Sequence, residues 1–79
     1  MRRLKLTPMQ RDIMVTLEEA GAETSGTVYA TVKPSARGDF DRAVDGLIAQ
    51  GLVRREDSSA YKGKTELVLT EAGRDALGR

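Results

Sequence analysis

The sequence predicts one α+β domain: three helices, then a two-stranded β-hairpin, then a short last helix. Three observations carry that expectation. Start and stop signals bracket the helical stretches, apolar residues recur at helical spacing between them, and a polar segment containing Gly63 separates two strand-like runs. At 79 residues the chain has the size of a single domain. Such a domain buries only roughly 60–65% of the surface its unfolded chain exposes. Phe40, Tyr29 and Tyr61 are the whole aromatic set, so Leu, Ile, Val, Met and Ala must supply most of the core.

The first helix is the clearest. Thr7 is the expected N-cap, Pro8 suits the first helical position and Gln10 completes a capping box. Met9, Ile13, Leu17 and Ala20 come at helical spacing with Met14 beside them, and Gly21 supplies a left-handed stop. The helix is expected over Pro8–Ala20. Thr24 or Ser25 caps a second helix running to Val32, with Val28, Val32 and Tyr29 turned inward. Gly26 and its β-branched residues give it poor intrinsic propensity, so it depends on packing. Pro34 ends it, and Lys33 is expected to be extended before that proline.

Ser35–Gly38 reads as a turn, and the third helix as Asp39–Gln50 with an apolar stripe of Phe40, Ala43 or Val44, Leu47 and Ile48. Gly51 closes it and Leu52 folds back on Leu47, the contact of a Schellman ending. Leu52–Arg55 and Thr65–Leu69 are the two strands, and Glu56–Lys64 is the loop between them. Leu67 and Leu69 share one face, which can cover the helices. Thr70 caps the last helix, which runs through Leu77, and Glu71 suits its positive end.

Composition narrows the function. The absence of Cys and His excludes thiolate and imidazole chemistry and the usual zinc and transition-metal ligands; no cofactor and no metal site is implied. No nucleophile–base pair or phosphate loop is present, so the chain reads as a binding protein and not an enzyme. Asp41 and Asp45 share a helix face, but exposed helical carboxylates of this kind are ordinarily solvated. The chain lacks disulfides, which fits a reducing compartment, and is read as cytoplasmic. No apolar stretch nears the ~20 residues of a membrane span, and the basic start has no apolar stretch behind it to make a signal peptide. Net charge is only +1, low for a protein that neutralises phosphates.

Three short segments then carry a resemblance. Leu6-Thr7-Pro8-Met9-Gln10 is similar to the opening of the first helix in MarR-like domains. The run Phe40-Asp41-Arg42-Ala43-Val44-Asp45-Gly46-Leu47-Ile48-Ala49-Gln50-Gly51-Leu52-Val53 resembles their recognition helix and its passage into the first wing strand. Leu67-Val68-Leu69-Thr70-Glu71-Ala72-Gly73 resembles the end of their second wing strand. From Leu6 to Leu77 the chain thus resembles the winged helix-turn-helix superfamily, and within it the MarR-like and PadR-like transcriptional regulators.

The resemblance implies a partner, double-stranded DNA, with the third helix in the major groove and the hairpin, or wing, on the backbone or minor groove. The residues it implicates are Ser25 and Thr27 at the start of the second helix, Ser35, Arg37, Arg42 and Asp45 around the third, and Tyr61, Lys62 and Lys64 in the wing. Arg37 and Arg42 suit guanine edges and the two lysines suit phosphates. The lysines equally suit a solvated loop tip, and Arg54-Arg55 suits either phosphate contact or protection of an edge strand. Residues 1–6 read as a flexible arm whose Arg2, Arg3 and Lys5 either touch an anionic surface or are simply solvated.

One feature opposes this assignment. Asp39, Asp41 and Asp45 stand against Arg42 on the outer face of the third helix, with Asp39 a candidate N-cap. Phosphates repel such a face, although an aspartate can accept from cytosine N4. The alternative is a protein–protein interaction module that meets a basic protein partner through that acidic face. Gly46 is expected on the same outer face, open to a partner's close approach or without a role. MarR-like proteins dimerise through long terminal helices, and fewer than three helical turns lie beyond Thr70, so a homodimer would have to use helix 1, the tail or an exposed edge, and a monomer is the alternative.

Overall fold

The computed structural model describes residues 6–78. Its elements are α1 (Pro8–Ala20), β1 (Ala22–Thr24), α2 (Ser25–Val32), α3 (Arg37–Ala49), β2 (Val53–Asp57), β3 (Thr65–Leu69) and α4 (Glu71–Ala76). The three strands form one antiparallel sheet in the order β1-β3-β2. Helices α1, α2 and α3 pack against one another, and Leu67 and Leu69 of β3 close the core they share with Ile13, Met14, Leu17, Val28, Phe40, Val44 and Leu47. This is the α+β winged-helix architecture that the sequence suggests, enlarged by one strand.

Helix α1 begins as expected. The Thr7 hydroxyl accepts from the Gln10 amide and the Gln10 side chain accepts from the Thr7 amide, both at 3.1 Å. Gln10 is itself buried, and its Nε2 also donates to the Ala43 carbonyl at 3.4 Å, which ties the cap of α1 to α3. Ala20 is exposed and not part of the buried stripe. Gly21 closes the helix at φ 89° and ψ −89°, outside the left-handed helical region, with its amide on the Leu17 carbonyl. Leu6 packs against the core, so the expected arm does not extend that far; Arg2, Arg3 and Lys5 lie outside the described residues.

Strand β1 is not among the elements expected from sequence. Ala-Glu-Thr has little β-propensity of its own; it is extended because it completes the edge of β3, with Ala22 opposite Val68 and Thr24 opposite Glu66. Thr24 then serves twice, as the last residue of β1 and as the N-cap of α2, its hydroxyl accepting from the Thr27 amide at 3.3 Å. Lys33 is left-handed (φ 53°, ψ 56°) and not extended, because its amide closes α2 on the Tyr29 carbonyl at 2.9 Å. The restriction before proline acts on the right-handed helical region, which this conformation avoids.

Helix α3 starts at Arg37, two residues before the expected boundary, so the turn is shorter than Ser35–Gly38. Asp39 is not its N-cap. Ala36 holds that position without a side-chain hydrogen bond, and Asp39 sits in the first turn, where its charge suits the helix's positive end. Ala43 and Val44 are both buried. Gly46, expected to face outward, lies against α1: a Cβ there would come within 2.9 Å of Gln10 Nε2. The helix ends in a full Schellman pair, Leu52 N–H to Leu47 O and Gly51 N–H to Ile48 O, both 3.0 Å, with Gly51 at φ 74°.

Because the Leu52 amide is spent on that ending, β2 starts one residue later than expected, at Val53. It runs on to Asp57 because pairing with Thr65 continues that far. At the other end of β3, Thr70 makes three bonds besides the one its carbonyl accepts from Arg74 N–H. Its amide donates to Leu52 O (3.0 Å), its hydroxyl donates to Gly51 O (2.7 Å), and the hydroxyl oxygen accepts from Gly73 N–H (3.0 Å). This draws α4 so close to the α3–β2 junction that only glycine fits at position 73: a Cβ would lie 2.2 Å from Leu52 O and 2.7 Å from a Leu69 methyl.

Gly73→Ala is therefore expected to destabilise the domain by about 1–3 kcal/mol and to lower Tm by at least about 5 °C in thermal unfolding. Gly26→Ala, into open space on α2, is expected to raise stability by up to about 1 kcal/mol. Equal Tm values for the two variants would contradict this packing.

Candidate nucleic-acid interface

Two elements meet first at the foot of the wing. The pairing of β1 with β3 carries the start of α2 up to the β2–β3 loop, and between them lies a cleft of about 340 Å³ lined by Thr24, Ser25, Gly26, Gly63, Lys64 and Thr65. Ser25 and Lys64, far apart in sequence, are thus neighbours. Thr27 is exposed on the same first turn, its hydroxyl accepting from Thr24 Oγ1 at 3.0 Å.

The wing tip is internally tied. Ser58 N–H donates to Lys64 O (2.8 Å), Lys64 N–H to Tyr61 O (3.1 Å), and Ser58 Oγ accepts from the amides of Ala60 and Tyr61 (3.2 and 2.9 Å). These bonds hold Tyr61 outward, 60% exposed and the one large hydrophobic so exposed among the described residues. Lys62 and Lys64 are exposed beside it, and among the described residues neither has an ion-pair partner.

Helix α3 is different, because each of its aspartates stands against an arginine. Asp41 pairs with Arg37 at 3.4 Å, Asp39 with Arg42 one turn on, and Asp45 with Arg55 of β2 at 3.9 Å. The acidic face is therefore compensated locally. All these side chains are about half exposed or more, so each pair is worth about 0–1 kcal/mol and can be exchanged for a phosphate or a base at little cost.

The two arginines of α3 are not equivalent. Arg37, the first residue of the helix, stacks over Tyr29 of α2 with its guanidinium carbon 4.8 Å from the ring centroid. Tyr29 in turn meets Phe40 edge-on, 5.2 Å between centroids at 86°. Arg42 turns toward the start of α1, on the rim of a groove of about 370 Å³ lined also by Thr7, Pro8, Met9, Gln10, Asp39 and Ala43. Ser35 is exposed in the α2–α3 connection and Asp45 is exposed on the outer face of α3. The structure thus gathers Ser25 and Lys64 in one cleft and puts Arg37 at the α2–α3 junction. It sets Arg42 apart from Arg37. Tyr29 was not among the expected site residues, and Arg55 was weighed for phosphate contact or edge protection and not as a partner of Asp45. Both contacts depend on how elements distant in sequence meet, and Tyr29 reads from spacing alone as a core residue.

No protein-family model matches the chain, and no curated protein matches it. Solved structures do. One is a MarR-family transcriptional regulator from Silicibacter pomeroyi, 30% identical with a TM-score of 0.79, covering 94% of this chain and 49% of that one. Another is the transcriptional repressor CouR bound to a 23-mer DNA duplex, 28% identical with a TM-score of 0.82, covering 95% and 52%. A third, a "probable transcriptional regulator" from Pseudomonas aeruginosa, is 25% identical with a TM-score of 0.84, covering 92% and 54%. The chain spans about half the length of these structures. Its fold is the winged helix-turn-helix of MarR-like transcriptional regulators.

Replacing Asp39, Asp41 or Asp45 singly with Asn is expected to change stability by less than about 1 kcal/mol, measured from the denaturant midpoint. A loss of several kcal/mol at any of them would mean that the carboxylate holds the fold and is not available for exchange.

Proposed function

We propose that this winged-helix chain, similar to MarR-like regulators, binds double-stranded DNA and acts in transcriptional regulation. The observation that carries this reading is the cleft that brings the α2 start against the foot of a wing whose tip lysines have no ion-pair partner among the described residues, on a fold shared with a DNA-bound repressor.

The physics of each part suits the role. The major groove of B-DNA, about 12 Å wide, admits a helix such as α3. Ser25 and Thr27 offer hydroxyls to phosphate oxygens, and Ser35 offers a third hydroxyl between the two helices. Arg37 and Arg42 carry donors for base or phosphate acceptors, and Asp45 can accept from a cytosine amino group. Among the described residues Lys62 and Lys64 have no ion-pair partner, so the attraction to the backbone comes from the wing while α3 stays nearly neutral. Tyr61 presents a ring and a hydroxyl at the same contact. A net charge of +1 is compatible with this division, because the local field at the wing tip governs the encounter more than the whole-chain total.

The same reading has two copies on one site, a homodimer on half-sites about one helical turn apart, and a cytoplasmic setting, where such a regulator meets DNA.

The test is fluorescence anisotropy against a mixed-sequence duplex from low to moderate salt. Binding should fall linearly in log–log form, and Lys62→Ala and Lys64→Ala should each make the slope shallower by about one unit. The mass of the complex counts the copies. Absence of binding even at low salt would overturn the assignment.

A further inference from the structure

We propose that Arg37 is the base-reading arginine of α3, that it selects a guanine, and that Tyr29 is its positioning residue. The proposal rests on the DNA-binding reading and adds to it which arginine discriminates between bases and what holds it.

A guanidinium has two faces, an Nε edge and an edge formed by its two terminal nitrogens. In Arg37 the guanidinium carbon lies over the Tyr29 ring, 4.8 Å from the centroid, and Nε donates to Asp41 Oδ1 at 3.4 Å. Among the described residues no acceptor bonds the two terminal nitrogens. The free edge is the one whose paired donors match the O6 and N7 acceptors of guanine in the major groove. The side chain is 59% exposed, so the edge is accessible to a ligand. It also stands on the first residue of α3, the end from which a recognition helix contacts bases.

The support behind Arg37 reaches into the core. Phe40 is 1% exposed, Tyr29 packs edge-on against it, and Arg37 lies on Tyr29. A flexible arginine loses rotamer freedom on binding, and a stacked one has lost much of it already. Asp41 adds selectivity. By sharing the guanidinium charge it lessens the attraction to any phosphate on any sequence, while leaving the terminal edge for a base that fits it. Arg42 also has a carboxylate partner, Asp39, but that bond is made by a terminal nitrogen and so takes part of the edge a guanine would need. It is 76% exposed, among the described residues no ring lies beneath it, and five residues along a helix place it about 140° around the axis from Arg37.

The experiment is selection of bound duplexes from a randomised library by the purified chain, repeated with Arg37→Ala, Tyr29→Leu, Tyr29→Phe and Arg42→Ala. The original chain should recover sites sharing a strongly preferred guanine. Arg37→Ala should reduce discrimination at that position by roughly 5- to 150-fold, the range of one bidentate base contact. Tyr29→Leu should weaken the same preference several-fold while leaving affinity for unrelated duplex little changed. Tyr29→Phe and Arg42→Ala should keep the preference. A guanine preference that survives Arg37→Ala, or one that Arg42→Ala removes instead, overturns the proposal while leaving DNA binding intact. If Tyr29→Leu fails to fold, the two arginine variants still decide which residue reads the base. Recovery of no duplexes by the original chain overturns the DNA-binding reading itself.

Discussion

The middle strand is the constraint on which the rest of the structure depends. Strand β3 bonds on both edges, to β1 and to β2, and puts Leu67 and Leu69 into the core between them. On the β1 side its pairing ends at Thr24, which is also the N-cap of α2, so the sheet register fixes where that helix begins. On the β2 side it runs to Asp57 and Thr65, and so sets where the wing loop leaves the sheet. At its C-terminal end Thr70 locks the strand onto the α3–β2 junction through Gly51 and Leu52. One strand therefore positions the foot of the wing, the start of α2 and the end of α3. A register slip of one residue would turn Leu67 and Leu69 outward and move all three together.

On the proposed reading, that coupling is how a nearly neutral chain would present a binding face. Charge alone does not define the face, since every aspartate of α3 stands against an arginine and the pairs are weak and exposed. What differs is the local arrangement. The wing tip holds lysines without partners among the described residues, and the α2–α3 junction holds an arginine already fixed by a ring and a carboxylate. In the proposed role, the first would supply attraction that any sequence of DNA can satisfy, and the second geometry that few bases can. Paired arginines in place of a wholly basic helix suit a domain in which discrimination matters more than raw affinity.

Much of the fold was legible in the sequence wherever a rule acts within a few residues. The Thr7–Gln10 box, the Schellman ending at Gly51 and Leu52, the span of β3 and the cap at Thr70 are all local, and all are present. What escaped was set by distant partners. Strand β1 has little propensity of its own and exists through β3. Gly46 looks outward on a helical wheel, but α1 passes beside it. The start of α3 was misplaced because Ala36 offers no capping side chain to mark it. The candidate interface divides in the same way. Its polar and charged residues were visible as residue types, while the stack of Arg37 on Tyr29 and the pairing of Asp45 with Arg55 required the packing of α2 on α3 and of β2 beside it.

If the start of α2, the outer face of α3 and the wing tip form one DNA-binding face, a single duplex must touch all three at once. The most direct measurement is amide NMR of the labelled chain titrated with a mixed-sequence duplex. Shift changes are expected to concentrate at Ser25–Thr27, Arg37–Asp45 and Tyr61–Lys64, with the exposed side of α1 and all of α4 unmoved. Changes clustered on α1 or α4, or none at any residue, would contradict a shared DNA-binding face.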